Sequence, residues 1–185
     1  MAVELRRRSW IVDEYHRMVE TGLLSEDDRV ELLGGEIVEM SPIGASHARC
    51  VNRLTALLVP PADRRAIVQI QGPLRLSDVS EPQPDIALLR WRADFYRELP
   101  RPADVLLLIE VADTSLATDR AVKLPLYAAA GIFETWLVDL TAGAIERDTG
   151  PSTAGYTEHG VLVPGDSIHV PGLGGFELSV SDVVD

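Results

Sequence analysis

Three residues of this chain have side chains suited to hydrolytic chemistry, and each occupies an unusual place in the sequence. Asp85 directly follows Pro84, which favours an extended backbone, and opens the apolar run DIALL. Glu110 lies near the end of the run VLLLIEVA, where a carboxylate is costly unless it is paired or binds a cation. Lys123 follows in the next helix-like segment. These three residues are the first candidates for a reactive site.

Two carboxylates and one ammonium can cooperate in the hydrolysis of a phosphoester. Carboxylates supply the oxygen ligands that Mg²⁺ prefers, so Asp85 and Glu110 are candidate ligands. A cation held there would acidify a water molecule and neutralise charge on a phosphoryl oxygen. A neighbouring lysine can orient that water or help to deprotonate it, and can stabilise a pentacovalent transition state.

Lys123 is the only lysine in the chain, since 16 of the 17 lysine and arginine residues are arginine. Arginine is effectively never deprotonated, whereas the pKa of a lysine can be tuned by its surroundings. A single retained lysine therefore favours a position that requires an ammonium. The alternative is a surface ion pair with Asp119, four residues earlier on the same helix.

The hydrophobic pattern predicts helices and strands that alternate along the chain. Helices are expected at residues 9–22, at residues 46–59 up to Pro60-Pro61, and at residues 117–131 up to Gly131. Strands are expected around Gly34-Gly35, at 66–76, 85–89, 104–112, 133–140, 143–148, 155–159 and 160–163, with a last helical turn in 178–185. This order indicates a mixed sheet flanked by helices, α/β or α+β.

The ordered motifs resemble the PD-(D/E)XK nuclease superfamily and, more closely, the Uma-type family of small bacterial restriction endonucleases. The resemblance covers most of the chain and is carried by VELLGGEIVEMSP, SHARCVNRL, PQPDIALL, LLLIEVADTS, DRAVKLPLYAAAGIFETWLVD and HVPGLGGFELSVSDV. It implies one restriction-endonuclease-like domain over residues 1–185. It also implies a homodimeric Mg²⁺-dependent endonuclease, with Mn²⁺ as a possible substitute, that cuts double-stranded DNA.

The same resemblance assigns roles to individual residues. Asp85, Glu110 and the backbone carbonyl of Val111 would bind the metal, and Lys123 would position the attacking water. Glu31 would support the metal or the water, with Glu36 as a weaker competitor across the turn.

Three positions depart from the family pattern. Ala112 stands where the superfamily has its lysine, so Lys123 would be a lysine displaced to the following helix. Pro125 replaces a helix former, and either the helix begins near Leu124 or it kinks beside Lys123. Phe133 stands where the family often has proline, which indicates a change in packing.

Composition limits the possible partners and compartments. The formal net charge of −12 argues against a protein that coats nucleic acid non-specifically, although a local basic groove is compatible with it. Cys50 is the only cysteine, so neither an intramolecular disulfide nor a cysteine zinc site is expected. The sequence shows no signal peptide and no apolar run of membrane-spanning length, and we expect a cytoplasmic protein without membrane contact.

Two other functions compete with the nuclease. A degenerate nuclease fold could serve as a binding or assembly module, with Arg49, Arg53, Arg64 and Arg65 on its partner surface. A metal-dependent hydrolase could act on a small phosphoester.

For each candidate residue, a purely structural role is an alternative to the functional one. Asp85 could be satisfied by backbone N–H groups, and Glu110 could pair with an arginine such as Arg90. For His47, which opens the second predicted helix, a cap or surface position is favoured over a contact with phosphate or water.

Overall fold

The computed structural model describes residues 8–25 and 27–184. The helices are α1 (Val12–Glu20), α2 (Ala45–Ala62), α3 (Leu116–Thr118), α4 (Leu124–Ala129) and α5 (Val180–Val184). The strands are β1 (Val30–Leu33), β2 (Glu36–Glu39), β3 (Ala66–Ile70), β4 (Ile86–Arg90), β5 (Val105–Ala112), β6 (Glu134–Asp139), β7 (Ala144–Ser152), β8 (Gly155–Leu162), β9 (Ser167–His169) and β10 (Glu177–Ser179). The mixed α/β class predicted from the hydrophobic pattern is therefore found.

A six-stranded mixed sheet in the order β3-β4-β5-β6-β7-β8 forms the centre of the fold. Neighbouring strands are antiparallel except β5 and β6, which are parallel. A parallel pair requires a crossover connection, and the helical segment from α3 to α4 provides it. Two short hairpin-like pairs, β1-β2 and β9-β10, lie outside this sheet.

Helices cover both faces of the sheet, and strand alternation decides which side chains meet them. On one face, α2 and α5 pack against Leu107 and Ile109 of β5. On the other face, α4 packs against the intervening Leu108. Glu110 shares the parity of Leu108, so its side chain points to the face that carries α4.

The crossover from β5 to β6 is one helical segment that contains a π-helical turn beside Lys123. A π-helical turn at Asp119–Lys123 joins α3 to α4. Pro125 lies in the first turn of α4 and has no N–H to donate to the carbonyl four residues earlier. The α-helix α4 thus begins at Leu124, one of the two predicted alternatives, and the proline in its first turn follows a wide π-helical turn of the kind often found at functional sites.

Other element boundaries also differ from the sequence prediction; the strand predicted at 66–76, for example, ends at Ile70. Helix α2 continues through Pro60 and Pro61, because proline has a helical φ and the lost bonds are confined to the last turn. The segments predicted as two strands around Gly160 form the single strand β8, in which Gly160 pairs with Arg147 of β7. The β9-β10 pair was not predicted, because a three-residue strand is too short to show an alternation of apolar and polar residues.

The hairpin of β1 and β2 turns at Gly34-Gly35, as predicted. Both glycines have positive φ, at 58° and 84°, which residues with a Cβ rarely adopt. Glu81 attaches the hairpin to the loop before β4, because its backbone N–H donates to the carbonyl of Leu32 at 2.7 Å. This attachment fixes the position of Glu31 on β1. Among the described residues, no helix combines the length and hydropathy of a membrane span.

A buried carboxylate on β6 links two strands of the sheet. Glu134 is 2% exposed and accepts two hydrogen bonds of 2.8 Å from the guanidinium of Arg147 and one of 2.7 Å from Trp136 Nε1. We expect Arg147→Ala to lower the free energy of unfolding by about 2 kcal/mol, since it leaves a buried carboxylate without its cation while the arginine itself is partly exposed. Urea unfolding followed by tryptophan fluorescence measures the change. An unfolding midpoint equal to that of Arg97→Ala, a control at an exposed arginine, would contradict this assignment.

Cys50 is a packing residue of α2, as its apolar surroundings indicate. Its thiol is 4% exposed, and burial raises its pKa to about 11. At pH 8 the thiolate fraction is therefore more than about 100-fold below that of a free cysteine. We expect iodoacetamide to leave the native protein unmodified and to alkylate it fully in urea, as read by mass spectrometry. Rapid alkylation without urea would show that the thiol is accessible.

Candidate active site

Asp85 and Glu110 are placed on facing positions by the pairing of β4 with β5. Ile86 pairs with Ile109, so one further step along this antiparallel register sets Asp85 opposite Glu110. Both carboxylates line a cleft of about 210 Å³ at the end of the two strands. The cleft also receives residues from β1, from the start of α2 and from the crossover helix.

The Asp85 carboxylate is held by three donors. The backbone N–H of Val111 donates to it at 2.9 Å, and Gln71 Nε2 donates at 3.2 Å. His47 Nε2 lies 3.0 Å from the same group. The backbone does donate a hydrogen bond to Asp85, but only the N–H of Val111 takes part. The Asp85 side chain still borders the cleft.

Glu110 is a buried carboxylate in a polar corner of the core. It is 2% exposed and accepts a hydrogen bond from the hydroxyl of Tyr127. Burial raises the pKa of Glu110 to about 8; Lys123 opposes this rise, and the nearby charge of Asp85 adds to it. Arg90, the predicted partner, instead donates from Nε to a backbone carbonyl at 3.0 Å, so that pairing is wrong.

Lys123 points into the cleft. Its Nζ lies 3.2 Å from Glu31 Oε1 and 3.4 Å from Glu110 Oε1, and the residue is 7% exposed. Burial alone would lower the pKa of Lys123, but Glu110 and Glu31 outweigh it and raise the pKa above its usual value. The surface pair with Asp119 is therefore wrong, although the buried Asp119 contributes to the same rise.

The direction of Lys123 follows from the helical segment that carries it. Lys123 and Tyr127 are four residues apart, which places them on the same side of a helix. Both contact Glu110, so the segment presents one continuous polar edge to β5. The π turn that ends at Lys123 and the proline that follows it set the rotation of this edge.

Glu31 closes the cleft from the side of the hairpin. It is 4% exposed, and its Oε2 accepts a hydrogen bond of 3.0 Å from the backbone N–H of Gln83. Its other oxygen faces Lys123. Glu36, the competing candidate, is exposed on β2 and is not among the residues that line the cleft.

Some residues of the cleft were not predicted from the sequence, or were predicted to lie elsewhere. His47 is not a cap or surface residue: it contacts Asp85, and the hydrogen bond with Asp85 raises its pKa. Asp119 is 3% exposed and accepts a bond of 2.6 Å from Ser115 Oγ, and burial raises its pKa. The only sequence signal for Tyr127 was its spacing of four residues from Lys123.

The donor set of the cleft fits a magnesium ion with few protein ligands. In the part of the chain that the structure describes, no group of three His, Cys, Asp or Glu side chains could hold a metal ion. Asp85, Glu110 and the carbonyl of Val111 offer only two carboxylates, which suits Mg²⁺ because that ion usually keeps several waters. The cleft is lined by six carboxyl groups and by two cations, Arg29 and Lys123, and a further cation would favour the ionised form of Glu110, whose pKa burial raises to about 8.

Comparison with known proteins agrees with this fold. A crystal structure from Anabaena variabilis ATCC 29413, described as "a putative nuclease belonging to DUF820", superposes with a TM-score of 0.69 and 18% sequence identity. The match covers 94% of this chain and 97% of the other, so the two chains share one fold. No curated protein matches the chain. The family model Uma2, described as "Putative restriction endonuclease", matches residues 12–181. Because that match spans most of the sequence, the chain belongs to the Uma2 family.

Proposed function

We propose that the protein is a Mg²⁺-dependent endonuclease that hydrolyses phosphodiester bonds of double-stranded DNA, with Mn²⁺ as an alternative ion. The observation that carries the proposal is the position of the Lys123 ammonium, 3.2 Å from Glu31 and 3.4 Å from Glu110, in the cleft that Asp85 also lines. Carboxylates, an ammonium and an open cleft of polar character are the parts that phosphoryl transfer by metal-assisted hydrolysis needs.

The metal would be held by Asp85, Glu110 and the carbonyl of Val111, and it would supply charge neutralisation and acidification of a water. In the reaction, the water oxygen bonds to phosphorus while the bond from phosphorus to the leaving oxygen breaks, the attacking water releases a proton to solvent, and the leaving oxygen takes one up from solvent. Gln71 and the N–H of Val111 hold the Asp85 carboxylate in one orientation.

Lys123 acts in this proposal as a cation and a donor, not as a base. Its raised pKa keeps the proton on Nζ at neutral pH. An ammonium has three N–H bonds, and two carboxylates face it, so one donor is left for a water or a phosphoryl oxygen. Glu31 holds the ammonium together with Glu110.

A second candidate function, that of a catalytically inactive binding module, is favoured by two observations. Ala112 leaves the usual lysine position without a cation, and Lys123 is already engaged by two carboxylates. In such a module the ion pairs of Lys123 with Glu31 and Glu110 would stabilise the core, and the cleft would bind a partner without hydrolysing it.

A plasmid-nicking assay tests the proposal and separates the candidates. Supercoiled plasmid is incubated with the wild type in Mg²⁺, in Mn²⁺ and in EDTA, beside Asp85→Ala, Lys123→Ala and the exposed control Glu98→Gln. Nicking that requires a divalent ion and both site residues supports the endonuclease. Equal nicking by all four proteins would indicate a contaminant, and no nicking in either ion would favour the binding module. Hydrolysis of bis(p-nitrophenyl) phosphate without plasmid nicking would favour a hydrolase of small phosphoesters.

The homodimer remains part of the proposal, since two copies would allow one cleft to act on each strand of a duplex. Sedimentation velocity measures the oligomeric state. A monomer at the concentration that supports nicking would remove this part while leaving the chemistry intact.

A further inference from the structure

A second cavity lies beside the active-site cleft, since Asp113 lines both of them. It has a volume of about 220 Å³. Its walls are one side of α2, the turn after β6 at Leu140 and Thr141, and the end of α5 at Val183 and Val184. Two arginines of α2, Arg49 and Arg53, border it.

The two arginines share one side of α2 because they are four residues apart. Ser46 and Cys50 lie on the same side and also line the cavity. The positive charges of Arg53 and Arg49 both oppose the rise in the pKa of the Cys50 thiol, which shows that their fields overlap there. Arg49 is exposed, and no salt bridge involves it within the described residues. A chain with a net charge of −12 thus carries a local basic site on this helix.

The cavity adjoins the cleft along the start of α2. Asp113 lines both of them, and His47, which contacts Asp85, lies between the two arginines and the start of the helix. From His47 to Arg53 the helix rises by roughly 9 Å. A polyanion that leaves the cleft along α2 would therefore meet the arginines within a short distance. Arg29 lines the cleft itself and provides a cation there.

We propose that Arg49 and Arg53 bind a backbone phosphate of a nucleic-acid strand, next to the phosphate that lies in the cleft. This inference rests on the proposed nuclease function and names the residues that would hold a second phosphate of the DNA substrate. Guanidinium groups bind phosphate through paired N–H donors, and Ser46 and Thr141 add hydroxyl donors to the same cavity. Asp113 repels the strand on the wall shared by the two cavities. A small phosphoester reaches only the cleft and gains nothing from this site.

Fluorescence anisotropy of a labelled DNA duplex in EDTA measures binding without cleavage. We expect Arg49→Gln to weaken binding about 5- to 10-fold and to reduce the slope of log affinity against log salt by about 0.9, the value for one lost phosphate contact. Arg53→Gln should act in the same direction, and Arg49→Lys should restore part of the affinity. Asp113→Asn should tighten binding, because it removes a carboxylate from the path of the strand. Arg97→Gln, an exposed arginine in the loop after β4, is the matched control.

The outcomes separate this inference from the nuclease proposal. Duplex affinity and salt slope that are equal in the wild type, Arg49→Gln and Arg53→Gln would overturn the phosphate site, and so would a wild type that binds no DNA. Loss of binding in Arg49→Gln, together with no nicking by the wild type in Mg²⁺, would uphold the phosphate site and reject the nuclease. Circular dichroism of each variant confirms that an altered affinity does not reflect unfolding.

Discussion

Asp85→Asn is expected to lower the rate of Mg²⁺-dependent plasmid nicking by about 10³-fold, the equivalent of about 4 kcal/mol in the activation barrier. The substitution removes the negative charge from a proposed metal ligand and replaces one of its two acceptor oxygens by an amide donor. The remaining carbonyl oxygen of asparagine can still accept the hydrogen bond from Val111, which now measures 2.9 Å. The fold should therefore persist while the reaction fails.

The measurement is the initial nicking rate at saturating Mg²⁺, with thermal unfolding as the control for structure. Glu98→Gln is the matched neutralisation of an exposed carboxylate and should retain the wild-type rate. A loss of less than about 10-fold in Asp85→Asn would mean that Asp85 has a structural role alone.

Lys123→Met is expected to lower both activity and stability. The ammonium faces two carboxylates that are 4% and 2% exposed, so its removal leaves Glu31 and Glu110 buried beside each other without a cation. Breaking a buried ion pair in this way costs about 3 kcal/mol. The nicking rate should fall by about 10²- to 10³-fold, because a donor to the developing charge is lost.

A double variant separates the two effects of Lys123. Lys123→Met combined with Glu110→Gln removes one of the two uncompensated charges, so urea unfolding should show a large part of the lost stability regained. Nicking should not return, since Glu110 is itself a proposed metal ligand. Recovery of both stability and activity would contradict the proposed roles of Lys123 and of Glu110. Lys123→Arg tests the need for an ammonium, since a planar guanidinium does not reproduce its compact geometry.

The sequence predicted the carboxylates of the site because strand position limits where a side chain can point. Asp85 at the start of one apolar run and Glu110 near the end of another are expected at the same edge when the two runs pair as antiparallel strands. The hairpin turn at Gly34-Gly35 could also be predicted from the sequence, since both positions need a positive φ, which glycine adopts readily.

The direction of Lys123 could not be read from sequence. Pro125 indicated that the helix is irregular beside the lysine, but the sequence alone does not distinguish a π-helical turn from a helix that begins only at Leu124. The outcome depends on packing of Tyr127 against β5, which is a tertiary contact. The contact of His47 with Asp85 was missed for the same reason, because it joins α2 to a residue 38 positions away.

Glu110→Gln beside the wild type in the plasmid-nicking assay tests the central claim most directly. Glutamine has nearly the same shape, and its carbonyl can still accept the hydrogen bond from Tyr127, while the charge offered to the metal and to Lys123 is lost. We predict Mg²⁺-dependent nicking by the wild type and a rate at least about 100-fold lower for the variant, the equivalent of about 3 kcal/mol. Equal rates for the two proteins, or no nicking by the wild type, would contradict the account.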